Sequence, residues 1–387
     1  MHNARSGFED MAPLFGREAE DALWALLDAR DWVSDLSRLV DPGVATRIVD
    51  GWRSTEGPLS FQSDVVKPFL DALMAQTTEG VTMEVHPNAM ASGMLFLSNH
   101  RDIVLDPSLV NMALLDRGRT STEIGIGSNL LGSEWVRNLV RLNRCFVVKR
   151  EGSARDRFNS SVRTAAYIRN VIQNDTPVWL AHREGRAKDG VDATAPALIR
   201  TLSDGCSPDI WNRLKVVPVS ISYEWDPCDA LKVNELLHRA KNGTYEKAPG
   251  EDEQSMWMGL AGQKGRVHVA MAECMPWMGP EDGERPERFM AERFDRCLLQ
   301  NMKPWPNQHL AALHLGLDNE TVALAPKPTE EETRSWNLRL QAIQKFLEPQ
   351  GWSHEEVATQ WCEMLAAPLS HKLSLLTEMG HGDGPSH

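Results

Sequence analysis

The chain has 387 residues, enough for one large or two medium units, and 42% of them are hydrophobic, enough to fill a globular core. Its formal net charge of −13 excludes a general nucleic-acid binder and a protein held on anionic surfaces by bulk charge. No apolar run approaches the roughly 18 residues of a membrane span, MHNARSGFED lacks the order of a secretion signal, and six scattered cysteines mark neither a disulfide frame nor a zinc site, so a cytoplasmic location is expected.

Residues 1–78 read as a helical N-terminal region, with Ala22, Leu26, Trp32 and Leu36 apolar in a charged background and Pro42-Gly43 as a break. From 79 to 285 the pattern alternates. MLFLS at 94–98 predicts a buried strand, and DPSLVNMALL a helix capped by Asp106 with Pro107 at its first position. TEIGIGS predicts a strand, NLLGSEWVRNLVRL a helix and CFVVK a strand. Phe158, Val162, Ala165, Ile168 and Ile172, spaced 4, 3, 3 and 4, predict one helical face. PVWLA, KVVPVSISY and RVHVAM (266–271) are further strands. This alternation predicts an α/β fold: a mixed, largely parallel central sheet flanked by helices, with helical N-terminal and C-terminal extensions.

Residues 286–379 read as a helical C-terminal region. Thr329 with Glu332 and Ser353 with Glu356 have capping-box spacing ahead of apolar positions at helical intervals. The last stretch, GHGDGPSH at 380–387, is expected to be a disordered tail. Charge is uneven: Arg137 to Arg169 holds nine basic and two acidic residues, a local +7 that leaves −20 for the remainder. Such an island is either a solvated helix face or an anion site.

The most informative stretch is FLSNHRDIVLDPSLVN, from Phe96 to Asn111. Its His100-Arg101-Asp102 triplet matches a kinase catalytic loop, but residue 107 is proline where a kinase needs a magnesium-holding asparagine, and no Asp-Phe-Gly occurs. The other reading is acid–base chemistry. A neutral imidazole at His100 can take a proton from an alcohol near neutral pH, and a carboxylate behind it fixes the ring's tautomer. Asp106 and Asp102 are both candidates for that partner; Asp106 is preferred, with a helix cap as its structural alternative. NRCFVVKR places Arg144, Phe146, Lys149 and Arg150 at a strand end, and HREGRAK places Arg183, Glu184, Gly185, Arg186 and Lys188 at another. Strand ends of this kind gather ligands in open α/β sheets. VPVSISYE carries Pro218 inside an apolar strand.

These four blocks, in this order, resemble the glycerolipid acyltransferase family over roughly 95–225, about a third of the chain. There are departures. Five residues separate His100 from Asp106 where the family has four, the second block lacks its glycine and has Lys149 where arginine is usual, and the third is one residue shorter. The resemblance implies transfer of a fatty acyl chain from acyl-CoA or acyl carrier protein to glycerol 3-phosphate or its monoacyl form, lysophosphatidate. It implies His100 as base, with Arg144, Phe146, Lys149, Arg150, Arg183, Glu184, Gly185, Arg186, Lys188 and Pro218 about the substrates. It implies no metal, no cofactor beyond the thioester co-substrate and no covalent enzyme intermediate. Backbone N–H groups near Asp106-Pro107 are the expected oxyanion donors. A lipid product implies peripheral contact with the inner face of the cytoplasmic membrane, for which Leu130, Leu131, Trp135 and Met256 to Met258 are candidates, with core packing as the alternative. Two rivals share the same residues: a thioester hydrolase and a non-catalytic acyl-carrier or lipid-binding protein.

Overall fold

The computed structural model describes residues 5–280 and 283–382, the last five of these by backbone alone. Seven strands form one sheet in the order β1-β7-β6-β2-β5-β3-β4: β1 (Gly80–Val85), β2 (Leu95–Ser98), β3 (Glu123–Gly127), β4 (Cys145–Val148), β5 (Val178–Ala181), β6 (Val216–Tyr223) and β7 (Arg266–Met271). β6, β2, β5, β3 and β4 run parallel to one another, whereas β7 pairs antiparallel with β6 and carries β1 in its own direction. The α/β expectation is met, with helices on both faces of a mixed, mostly parallel sheet.

β2 and most of β6 are buried on both faces, which their near-continuous apolar runs require. Pro218 lies within β6 opposite Leu97, and its carbonyl accepts the Ala272 N–H at 2.9 Å. β1 is a strand that the sequence pattern does not announce. It is an edge strand, GVTMEV, whose exposed positions carry polar groups and so dilute the apolar signal.

The N-terminal helices Gly16–Ala29, Trp32–Leu36 and Pro42–Trp52 bury Leu23, Leu26, Trp32, Ile48 and Trp52 in one cluster with Phe61. The helix Ala154–Gln173 buries only part of its apolar face: Ala165, Ile168 and Ile172 are buried, but Phe158 is 64% and Val162 41% exposed. Its first two turns project beyond the core. The helix expected from residue 129 begins at Glu134, after a short turn.

The helix Pro286–Gln300 places Met290, Ala291, Phe294 and Leu298 in the same core as Leu95 and Leu97. The helices Pro306–His314, Glu330–Leu347 and His354–Gly382 enclose Trp336 and Trp361 with Val233 and Leu237. Both capping boxes form, Thr329 with Glu332 and Ser353 with Glu356. The last helix continues through residues 380–382, within the expected tail, and 383–387 lie outside the described residues. Among the described residues no helix is long and apolar enough to cross a membrane.

Candidate active site

β2 delivers the His100 loop at the carboxyl edge of the parallel strands. Asn99 fixes the loop to β6: its amide donates to the Ile221 carbonyl at 3.0 Å and accepts the Ile221 N–H at 2.8 Å. Asp102 then performs the capping expected of Asp106. One of its oxygens accepts the N–H groups of Val104 and Leu105, both at 2.8 Å, at the start of the helix Leu105–Leu115. Its other oxygen is buried without a hydrogen-bond partner, and burial together with the Asp106 charge pushes the carboxyl above its ordinary range.

Asp106 sits inside the first helical turn, fully buried, and is the partner of the imidazole. Its Oδ2 lies 2.8 Å from His100 Nδ1 and accepts the N–H groups of Arg101 at 2.6 Å and Asp102 at 3.0 Å. Its Oδ1 accepts the Tyr223 hydroxyl at 2.9 Å. A carboxylate acceptor at Nδ1 makes that nitrogen the donor and leaves Nε2 with the free lone pair. Trp179 stands edge-on to the ring, centroids 5.8 Å apart, and is held by its own indole N–H donating to Ser98 Oγ at 3.1 Å.

The loop after β5 closes on this ring. The Ala187 N–H donates to the His100 carbonyl at 2.9 Å, which ties the residue after Arg186 to the residue bearing the imidazole. Arg186 and His100 both line a cavity of about 200 Å³ whose apolar wall includes Ile103, Val104, Ile126, Val140 and Met256. Arg150, Gly185, Lys188 and Lys247 also line it. Gly185 has φ +74°, a conformation that glycine adopts without strain as the loop turns back.

Arg186 is the most telling of the cations. It is 9% exposed, donates to Ser255 Oγ at 2.7 Å, and forms no ion pair with a carboxylate among the described residues. Buried charges are ordinarily paired, and the Arg186 charge acts on the buried Asp102 carboxylate, lowering that group's upward shift. Lys188 is 3.1 Å from Glu235, with burial lowering its ammonium below its ordinary value, and Lys247 is paired with Asp252. Arg150 lies 3.7 Å from Glu184, which is exposed at the rim.

The structure thus brings His100, Asp106, Arg150, Gly185, Arg186 and Lys188 together. Other expected site residues lie elsewhere. Arg144 is buried 4.0 Å from Glu123, in a left-handed backbone conformation at φ 60°. Phe146 is fully buried against Tyr167, with centroids 5.0 Å apart. Lys149 is exposed and donates to Asp10 at 3.3 Å, and Arg183 donates to the Val191 carbonyl at 3.3 Å. Pro218 belongs to the sheet and does not line the cavity. Much of the basic island is structural: Arg141 holds the Ala12 carbonyl, Arg163 holds Asp10, and Arg169 holds Thr201.

Of the N–H groups at the expected oxyanion site, those of Arg101, Asp102, Val104 and Leu105 point to the two carboxylates. Residues with side-chain donors, among them Arg150, Lys188 and Asn143, also line the cavity. The expected membrane-docking residues are largely occupied. Leu131 is buried, Trp135 packs on Trp32 beneath Arg30, and Leu130 and Met256 line the cavity. Trp257 is 38% exposed with Arg38 over its ring.

Sequence reading missed Tyr223, Trp179, Lys247 and Ser255. Tyr223 and Trp179 end or occupy strands, where an aromatic reads as core, and Ser255 and Lys247 lie far down the chain from the His100 motif. Beside the site, fully buried His182 faces Thr194, Asp192 and Asp295. Burial pushes the His182 imidazole down to about 4 and the Asp295 carboxyl up to about 6.

The site is that of an α/β protein with a His/Asp pair at the mouth of a cationic cavity. No family model and no curated protein matches the sequence. Among solved structures, the chain is similar to the 1-acyl-sn-glycerophosphate (LPA) acyltransferase PlsC from Thermotoga maritima, with a TM-score of 0.38 and 12% identity, over 72% of this chain and 95% of that one.

Proposed function

We propose that this protein is an acyltransferase that moves a fatty acyl chain from a thioester, on coenzyme A or an acyl carrier protein, to a hydroxyl of glycerol 3-phosphate or its monoacyl derivative. The observation that carries this reading is the shared cavity of His100, backed by Asp106 at 2.8 Å, and the buried guanidinium of Arg186, which has no ion-pair partner among the described residues. The four sequence blocks supply the reaction class. The cavity, at about 200 Å³, is smaller than the roughly 300–1,000 Å³ of sites for drug-sized ligands, and so suits a small anionic acceptor better than a whole acyl chain.

In this mechanism Arg186, with Arg150 and Lys188, holds the acceptor's phosphate and presents its hydroxyl to His100 Nε2. The imidazole takes the hydroxyl proton as the oxygen bonds to the thioester carbonyl carbon. Asp106 stabilises the imidazolium that forms. The C–S bond then breaks, the thiolate takes the proton from Nε2, and ester and thiol leave with the imidazole restored. The cavity's side-chain donors face the transient oxyanion.

The test is to incubate purified protein with radiolabelled glycerol 3-phosphate or its monoacyl form and each thioester donor, then separate the lipids. Labelled acylated product that is lost in His100→Ala is expected. Release of thiol without an acceptor would instead establish a hydrolase, and tight ligand binding without turnover a carrier.

A further inference from the structure

The Asp106 carboxylate is unevenly satisfied. Oδ2 collects three donors, His100 Nδ1 and the Arg101 and Asp102 amides, whereas among the described residues Oδ1 has only the Tyr223 hydroxyl. Asp106 has no exposed surface, so the phenol is a buried partner of a buried charge.

Tyr223 is held firmly. It closes β6, pairs with Val267 of β7, and lies two residues beyond Ile221, which the Asn99 side chain clamps through both its N–H and its carbonyl. The strand end and the His100 loop are therefore one rigid unit. Tyr223 does not line the His100 cavity. It borders a separate chamber of about 70 Å³, shared with Asn99, Arg101, Asp192 and Asn307, so it touches the carboxylate without reaching the substrate space.

We propose that Tyr223 is a positioning residue of the His100–Asp106 pair. Its hydroxyl fixes the carboxylate plane so that Oδ2 stays on Nδ1–H, and it draws charge off the carboxylate so that the proton stays on the ring nitrogen. Burial and the adjacent carboxylates push the phenol well above its ordinary value, so it remains a donor across the working pH range. The inference rests on the reading of His100 as the base, and it concerns the imidazole's tautomer as well as turnover.

The experiment compares the parent protein with Tyr223→Phe, which keeps the ring and removes the donor. In 15N NMR of the imidazoles, His100 is expected to carry its proton on Nδ1, with a downfield proton signal. In Tyr223→Phe that signal moves further downfield as charge returns to Oδ2. Turnover falls about tenfold or more, as for loss of a hydrogen bond to a buried charged group, while KM for both substrates holds. An unmoved Nδ1–H signal in a folded variant overturns the proposal. Should Tyr223→Phe fail to fold, incorporation of 3-fluorotyrosine at the chain's three tyrosines gives the reverse perturbation: a more acidic phenol, with the Nδ1–H signal moving upfield. No movement there overturns it equally. Should His100→Ala retain activity while the signal responds, the base assignment falls and the Tyr223 contact stands. An inactive His100→Ala with an unmoved signal keeps His100 as base and removes Tyr223 from the pair.

Discussion

Gly259 lies directly against the Asp102 carboxylate, and a Cβ at that position would overlap Asp102 Oδ2. The same helix, Glu251–Ala261, holds Arg186 through Ser255. It therefore touches both the loop that carries His100 and the cation beside it. Gly259→Ala is expected to lift this helix, costing about 1–3 kcal/mol of stability by overpacking, and to lower acyl transfer more than Gly279→Ala, whose Cβ meets nothing within 4 Å. Urea denaturation and initial rates of both variants check this.

Asp106→Asn retains the shape of the side chain but removes its charge: the amide oxygen stays on the Arg101 and Asp102 N–H groups and on Nδ1–H, and the NH2 group meets the Tyr223 hydroxyl. The tautomer is kept, but the imidazolium loses the negative charge that stabilises it. Turnover is expected to fall at least tenfold, as for loss of a charged partner, with KM near that of the parent. A loss of less than tenfold in a folded variant would remove Asp106 from this role.

Arg186 and Lys149 are both cations of the sequence blocks, yet only Arg186 lines the cavity. Arg186→Ala is expected to raise the acceptor's half-saturating concentration at least tenfold. Lys149→Ala, at an exposed pair with Asp10, is expected to stay within about twofold, since surface pairs contribute little. Saturation curves with the acceptor varied would separate the two.

His182 and Asp295 oppose each other in acid. With the folded His182 at about 4, against roughly 6.5 unfolded, the unfolded chain binds the extra proton, so stability drains away as pH falls through that window. Asp295, at about 6 folded against roughly 3.9 unfolded, does the reverse: the folded state gains the proton, and stability rises as pH falls from about 6 toward 4. Asp295→Asn removes the compensation. Between pH 7 and pH 5 it is expected to lose about 1 kcal/mol more stability than the parent, measured by urea denaturation at both values. An equal loss in both proteins would show that Asp295 ionises normally.

The parallel strands and the His100–Asp106 pair were legible in the sequence because each rests on local chemistry: an apolar run between turns, or a histidine and a carboxylate on one loop. The division of labour between Asp102 and Asp106 was not, since both stand at the start of the same helix and only the three-dimensional path decides which oxygen meets the ring. Phe158 and Val162 fit the helical period, yet the helix outruns the core it packs on, a length mismatch that periodicity does not encode. Lys149 and Arg144 adjoin a strand as the motif requires, but Asp10 and Glu123, from distant parts of the chain, draw them away. The roof of the cavity was invisible for the same reason.

The stretch bearing all four blocks ends near residue 225, whereas the helix over the cavity starts at Glu251. An excised 95–225 segment would preserve the whole signature and forfeit Ser255, leaving Arg186 without the hydroxyl that aims it. Grafting that segment into another α/β scaffold would therefore transplant the His100–Asp106 pair with an Arg186 whose orientation the host would have to supply.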